Sequence, residues 1–168
     1  MNATTPKNNR HLISAVVENK PGVLARIASL FCARGFNIES LNVGETENPQ
    51  WSRMTITVSG DAHILEQIRK QLEKLIDTLK VSELTETTCI ERDLALIKLN
   101  VPSNRRAEVT NLVEIFRARI ADVGERHMII EVVGSEDKIQ NFIKLATPYG
   151  IVEMVRAGRI AIKRGELH

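Results

Sequence analysis

Residues 18–40 read Glu18-Asn19-Lys20-Pro21-Gly22-Val23-Leu24-Ala25-Arg26-Ile27-Ala28-Ser29-Leu30-Phe31-Cys32-Ala33-Arg34-Gly35-Phe36-Asn37-Ile38-Glu39-Ser40: the end of a strand, a tight turn, one amphipathic helix and the start of a second strand. Proline fixes φ and glycine tolerates angles that other residues avoid, so Lys20-Pro21-Gly22 turns the chain and a helix starts near Val23. Leu24, Ile27, Ala28 and Phe31 keep the i, i+3, i+4, i+7 spacing of a buried helical face, and Gly35 stands where a left-handed C-terminal cap belongs. The first amides of this helix have no partners inside it. They form a small anion-binding mouth behind Gly22, where no side chain blocks approach, and a carboxylate fits there.

Working outward, His11 to Glu18 is a strand with Ile13, Ala15 and Val17 on one face and Leu12, Ser14 and Val16 on the other. Both faces are partly apolar, which points to contact beyond its own helices. Asn37 to Val43 reads as a second strand and Glu45 to Gln50 as a polar loop with Asn48-Pro49. Ser52 to Ser59 alternates cleanly, with Met54, Ile56 and Val58 inward and Arg53, Thr55 and Thr57 outward, the pattern of a sheet with one face covered. Gly60-Asp61 caps a helix carrying Ile64, Ile68, Leu72 and Leu75, and a short strand follows near Leu79 to Leu84. The order is βαββαβ.

The second half repeats it. Leu94 to Val101 alternates, Pro102 to Arg105 turns, and Val109, Leu112, Val113 and Phe116 mark a helix face. Ile120 to Val123 and Met128 to Val133 pair, Ser135 caps a helix with Ile139, Phe142, Ile143 and Ala146, and Ile151 to Val155 closes the unit. Phe31-Cys-Ala-Arg34 matches Phe116-Arg-Ala-Arg119, and Val58-Ser-Gly60 matches Val132-Val-Gly134, in an order that agrees with an internal repeat. The fold class is therefore α+β: two tandem ferredoxin-like βαββαβ domains, each an antiparallel sheet covered by two helices. Residues 1–10 are expected to be a flexible tail, 11–84 the first domain, 85–92 a Thr- and Glu-rich linker and 93–165 the second domain.

Composition narrows the chemistry. The 168 residues are 43% hydrophobic and 26% charged, with 23 basic and 21 acidic residues interspersed and a net charge of +2. That balance gives no field directed at nucleic acid or a membrane surface. No apolar run approaches the roughly 20 residues of a membrane span, and Met1 to Arg10 is polar, so a cytoplasmic protein is expected. Cys32 and Cys89 show no Cys-x-x-Cys spacing; Cys32 reads as part of the helix's buried face. His11, His63, His127 and His168 have no i, i+3 or i, i+4 partner and suggest no metal site. There is no G-x-S-x-G, no phosphate loop and no H-E-x-x-H, which disfavours an enzyme. The βαββαβ order also suits an RNA-recognition module, but that needs aromatic side chains on the central strands, and only Trp51 stands near them. Glu18 and Glu39 read as solvated strand-edge residues rather than a general acid and base.

Four blocks carry a family resemblance: Glu18 through Ile27, the Phe31-x-x-Arg34-Gly-Phe-Asn-Ile-Glu-Ser-Leu41 run, Ser52-Arg53-Met54-Thr55, and Glu66-Gln67-Ile68-x-Lys70-Gln71-Leu72-x-Lys74-Leu75. Together they closely resemble the regulatory small subunit of acetohydroxyacid synthase, also called acetolactate synthase, over roughly Arg10 to Gly165. The first domain looks like an ACT domain. The resemblance implies a non-catalytic subunit of branched-chain amino acid biosynthesis that activates a larger catalytic subunit and confers feedback inhibition by valine, with isoleucine or leucine as further effectors. It implies no cofactor in this chain; thiamine diphosphate, Mg and FAD are expected in the catalytic partner. It also implies a homodimer through the ACT domains, whose open sheet edges join, and an effector site at Asn19, Gly22, Val23, Leu24, Asn37 and Ile38, with the amides of Asn19 and Asn37 meeting the ligand and Val23, Leu24 and Ile38 bounding an apolar pocket. Asn42 and Gly44 stand where relatives often carry Thr and Ala, which leaves the preferred amino acid open. Ser103-Asn104-Arg105-Arg106 replaces the Pro-Gly turn in the second half, so that half should not bind the same ligand. The alternative is a free-standing amino-acid-binding or transcription-linked ACT protein.

Overall fold

The computed structural model describes residues 10–84 and 89–165. The expected tail therefore lies outside the described residues except for Arg10, as do residues 85–88 of the expected linker. Two compact units emerge: one runs to Ile90 and takes back the chain from Ala161 onward, and the other is Glu91–Ile160.

In the first unit, β1 (Arg10–Glu18), α1 (Val23–Ala33), β2 (Ile38–Glu45), β3 (Trp51–Ser59), α2 (Ala62–Glu73) and β4 (Thr78–Leu84) follow the expected order. All pairings are antiparallel and the strand order is β2-β3-β1-β4. Period-2 geometry puts Ile13, Ala15, Val17, Met54, Ile56 and Val58 on one face, and all are buried against Val23, Ile27, Phe31, Leu65, Ile68 and Leu72 of the two helices. Each of the larger side chains contributes about 1.5–3 kcal/mol by leaving water. The buried face of α1 is rotated from the expected one: Val23, Ile27 and Phe31 are inside, while Leu24 is 46% exposed and Ala28 and Cys32 face solvent. Ile27 and Phe31 are common to both faces, and the Phe31 ring meets Phe36 edge-on at 6.3 Å; the change is that Val23 replaces Leu24 and Ala28 on the inner side.

Gly35 ends α1 with φ +67°. The Phe36 amide donates to Phe31 O at 3.0 Å and the Gly35 amide to Cys32 O at 3.1 Å, a Schellman closure. In α2, Asp61 Oδ1 accepts from the Ile64 amide at 2.9 Å. The outer face of this sheet is not simply solvated, as the alternation of β3 suggested. Ser14, Thr55 and Thr57 are buried there, and Leu12 and Leu84 join Cys89 and Ala161 in a small cluster of their own.

The second unit holds β5 (Cys89–Asn100), α3 (Arg106–Ile115), β6 (Arg119–Val123), β7 (His127–Gly134), α4 (Glu136–Ala146) and β8 (Ile151–Arg156), in sheet order β6-β7-β5-β8. Its core joins Ile97, Leu99, Ile130 and Val132 to Val109, Val113, Ile139 and Phe142. Buried Asp93 is paired with Arg156 across β5 and β8, Arg156 Nε donating at 2.9 Å.

Three expectations change. Cys89 to Arg92, read as linker, are the first residues of β5, which is longer than the alternating run suggested. A further strand, β9 (Ile160–Lys163), pairs with β5, and from Ala161 the chain groups with the first unit rather than closing the second. The repeat is real, but one of its sequence matches is out of register. Phe31 lies three residues before the cap residue of α1, Arg34, whereas Phe116 is itself the cap residue of α3; the counterpart of Gly35 is Arg117, at φ +48°. Gly60 and Gly134 do correspond, each preceding a capping residue, Asp61 or Ser135.

Candidate functional site

Gly22 caps α1 at φ +87°, ψ −13°, in the left-handed region that favours glycine. It offers no side-chain cap to the helix, and the first turn of α1 holds no acidic residue. The Arg26 amide reaches Gly22 O at 3.0 Å and the Val23 amide reaches Lys20 O at 3.4 Å; the Leu24 and Ala25 amides have no backbone acceptor among the described residues. A Cβ placed on Gly22 would meet nothing within 4 Å. This is an open helix start whose partial positive charge favours an anion.

The turn before it is held from three sides. The Asn19 amide donates to Gln50 O and Asn19 Nδ2 donates to Glu45 Oε1 at 3.0 Å and to Pro49 O at 2.9 Å, which ties β1 to the β2–β3 loop. Both amide hydrogens of Asn19 are thus engaged, and its carbonyl oxygen is the group left to accept from an ammonium. Lys20 Nζ pairs with Glu18 Oε2 at 2.8 Å. Arg26 pairs with Asp77 at 2.8 Å, and Asp77 O also accepts from the Glu18 amide, so the start of α1 is braced against the entry to β4. Sequence reasoning missed Glu45, Pro49 and Asp77. The Asn48-Pro49 signal in the Glu45 to Gln50 loop was the available pointer: Gln50 N donates to Asn48 Oδ1 at 3.0 Å, closing the loop that presents Pro49 O.

The six expected site residues do not converge in one chain. Val23 is 4% exposed and belongs to the core; Leu24, next to it, is the apolar side chain that faces outward. Asn37 is exposed, and Ile38 is half-buried against the core, at the start of β2. Ile38 pairs with Val58, whereas Glu45, which holds Asn19, pairs with Ser52. The eight residues of β2 from Ile38 to Glu45 make seven steps and span about 23 Å. Asn19, Gly22 and Leu24 therefore stand at one end of β2, and Asn37 and Ile38 at the other. In the second unit, Arg105 caps α3 in place of Gly22, and its guanidinium stacks on the Tyr149 ring at 4.5 Å.

Glu18 and Glu39 also lie at opposite ends of the sheet. Glu18 pairs with Lys20, and Glu39 with Arg10 and Ser59, which leaves no carboxylate pair. Among the described residues no group of three or more His, Cys, Asp or Glu could hold a metal ion, and no helix is long and apolar enough to cross a membrane.

Comparison with known proteins shows the family. Residues 13–80 match the family described as "AHAS small subunit-like ACT domain", and residues 92–165 match "Small subunit of acetolactate synthase". The Archaeoglobus fulgidus protein named "Probable acetolactate synthase small subunit" is 56% identical over 156 residues, 93% of this chain and 98% of its own length. The acetolactate synthase small subunit of Aquifex aeolicus is 53% identical over 92% of this chain and 81% of its length. The crystal structure of the acetolactate synthase small subunit from Thermotoga maritima superimposes with a TM-score of 0.86 at 42% identity, covering 94% of this chain and 99% of that one. An ACT domain followed by the second domain typical of these small subunits, matched along nearly the whole chain, means that this protein belongs to the acetolactate synthase small-subunit family.

Proposed function

We propose that the chain is a non-catalytic regulatory subunit: it docks on a large catalytic subunit of acetolactate synthase, raises its activity, and lowers it again when a branched-chain amino acid binds the ACT domain. Valine is the proposed effector, with isoleucine or leucine as further effectors. Catalysis and its groups, thiamine diphosphate, Mg and FAD, belong in this reading to the partner, in the cytoplasm. The observation that carries the effector reading is the uncapped, left-handed Gly22 start of α1, with outward amides, an adjacent amide acceptor on Asn19 and one exposed apolar side chain, Leu24. Those groups suit the carboxylate, ammonium and side chain of a small apolar amino acid.

Asn37 and Ile38 enter the same site only from a second copy. β2 is an edge of the first sheet, and edge strands are templates for pairing with another chain. Antiparallel pairing of β2 with its equivalent about a two-fold axis brings the Ile38 end of one strand against the Glu45 end of the other. Each of two symmetric sites then takes Asn19, Gly22 and Leu24 from one protomer and Asn37 and Ile38 from its partner. Pairing through β4, the other edge, joins no such halves.

The test is co-purification with a catalytic large subunit, followed by synthase activity with and without this chain and with and without valine. Activation together with valine sensitivity is expected. Failure to associate, or association with no effect on rate, overturns the reading. Sedimentation showing only monomer at micromolar concentration removes the shared site.

A further inference from the structure

The outer face of the first sheet, opposite its helices, carries a pattern that the effector reading does not use. Register places Arg53, Val16 and Lys80 in one row across β3, β1 and β4, and Thr55, Ser14 and Ser82 in the next. Residues in register share a face, so a row with two cations stands beside a row of three hydroxyls, with Arg53 and Lys80 about 10 Å apart, two strand spacings. Lys163 of β9 completes the arrangement. Ser14, Arg53, Lys80, Ser82, Ile162 and Lys163 help to line one cavity of about 180 Å³. Among the described residues no carboxylate lines it. Glu18, one row further along on β1, is taken up by Lys20 at 2.8 Å. Arg53 Nη1 donates to Ser14 Oγ at 3.2 Å, which aims the guanidinium along the face; Ser14 itself is buried, at 4% exposure.

We propose that this cavity is an anion site that takes a phosphate group. Arg53 offers a planar fork of donors, Lys80 and Lys163 offer point charges, and the hydroxyls of Ser14 and Ser82 supply neutral donors, a set matched to several acceptor oxygens bearing more than one negative charge. Three cations held around one cavity, with no acid among the described residues that line it, repel one another, and a dianion relieves that repulsion. The cavity is distinct from the Gly22 helix start and the proposal stands independently of the amino-acid reading. It also assigns a role to Arg53 of the Ser52-Arg53-Met54-Thr55 block and to the return of the C-terminal strand to the first unit.

Inorganic phosphate titrated into the full chain by calorimetry at low ionic strength tests this, with Arg53→Gln, Lys163→Gln and, as a control on the second unit, Lys98→Gln. Saturable binding by the wild type is expected, weakened about tenfold or more in each of the first two variants and unchanged in Lys98→Gln. Circular dichroism checks that each variant is folded; Lys163→Gln, on the short C-terminal strand, keeps the test decisive if Arg53→Gln unfolds. Glycerol phosphate in a parallel titration separates the sources: tighter binding than phosphate supports a phosphate carried on an organic molecule, and equal or weaker binding supports the free ion. Absence of saturable wild-type binding overturns the proposal. So does equal weakening in Lys98→Gln, which means diffuse charge, or unchanged affinity in both site variants.

Discussion

Replacing Gly22 with Asp separates charge from shape at the start of α1. A Cβ there meets nothing within 4 Å, so the side chain starts into open space. Its structural cost is the left-handed backbone at φ +87°, about 1–2 kcal/mol for an ordinary L-residue and less for Asp, which tolerates that region. The fold should survive. The aspartate carboxylate would stand at the amides proposed to receive the ligand's carboxylate. Two like charges about 4 Å apart repel by about 1 kcal/mol under bulk-water screening and about 4 kcal/mol near a protein surface. Valine affinity should therefore fall by between about fivefold and several hundredfold. Gly22→Ala carries the same backbone strain without the charge and should bind valine within a few-fold of wild type. Valine calorimetry on the three proteins, with synthase activity measured in parallel on the complex with the catalytic subunit, reads both quantities. Activation should persist in all three. Full valine affinity in Gly22→Asp refutes the placement of the carboxylate, and loss of binding in Gly22→Ala shows that backbone geometry rather than charge governs the site.

A shared site makes a mixing experiment informative. Asn37→Ala should by itself weaken valine about ten- to 150-fold, the loss of a hydrogen bond to a charged group. Dimers formed by mixing it with Gly22→Asp should recover one intact site in each heterodimer, and no recovery on mixing means that the two residues act within one chain. In the second unit, Asp93→Ala should lower stability by about 1.5–3 kcal/mol by stranding Arg156, whose side chain is 26% exposed and so partly rehydrates; chemical denaturation checks this. A fragment ending at Leu84 should keep the main core of the first unit but melt lower than the intact chain's first transition, because Leu12 and Leu84 lose Cys89 and Ala161; an unchanged midpoint would show that the small cluster contributes nothing.

Local interactions were legible in the residues alone. The Pro-Gly turn, the α1 start at Val23, the Gly35 closure, the Asp61 and Ser135 caps and the βαββαβ order twice over all depend on neighbours within about five positions, and each is where the sequence put it. The Gly22 end of the candidate site was legible for the same reason, since a helix start and a glycine are local features. Packing choices were not. Periodicity names an apolar stripe but leaves its rotation open by a residue; packing on the sheet put Val23 inside and left Leu24 out, with Ile27 and Phe31 common to both stripes. The buried hydroxyls of Thr55 and Thr57 looked like a solvated face because nothing in their alternation announces what covers it. Long-range register decided the rest. Only the pairing of Ile38 with Val58 and Glu45 with Ser52 shows that Asn37 and Asn19 stand at opposite ends of one strand, and only the return of β9 puts Lys163 beside Arg53. Such juxtapositions join residues many positions apart, and a one-dimensional pattern carries no record of the distance between them.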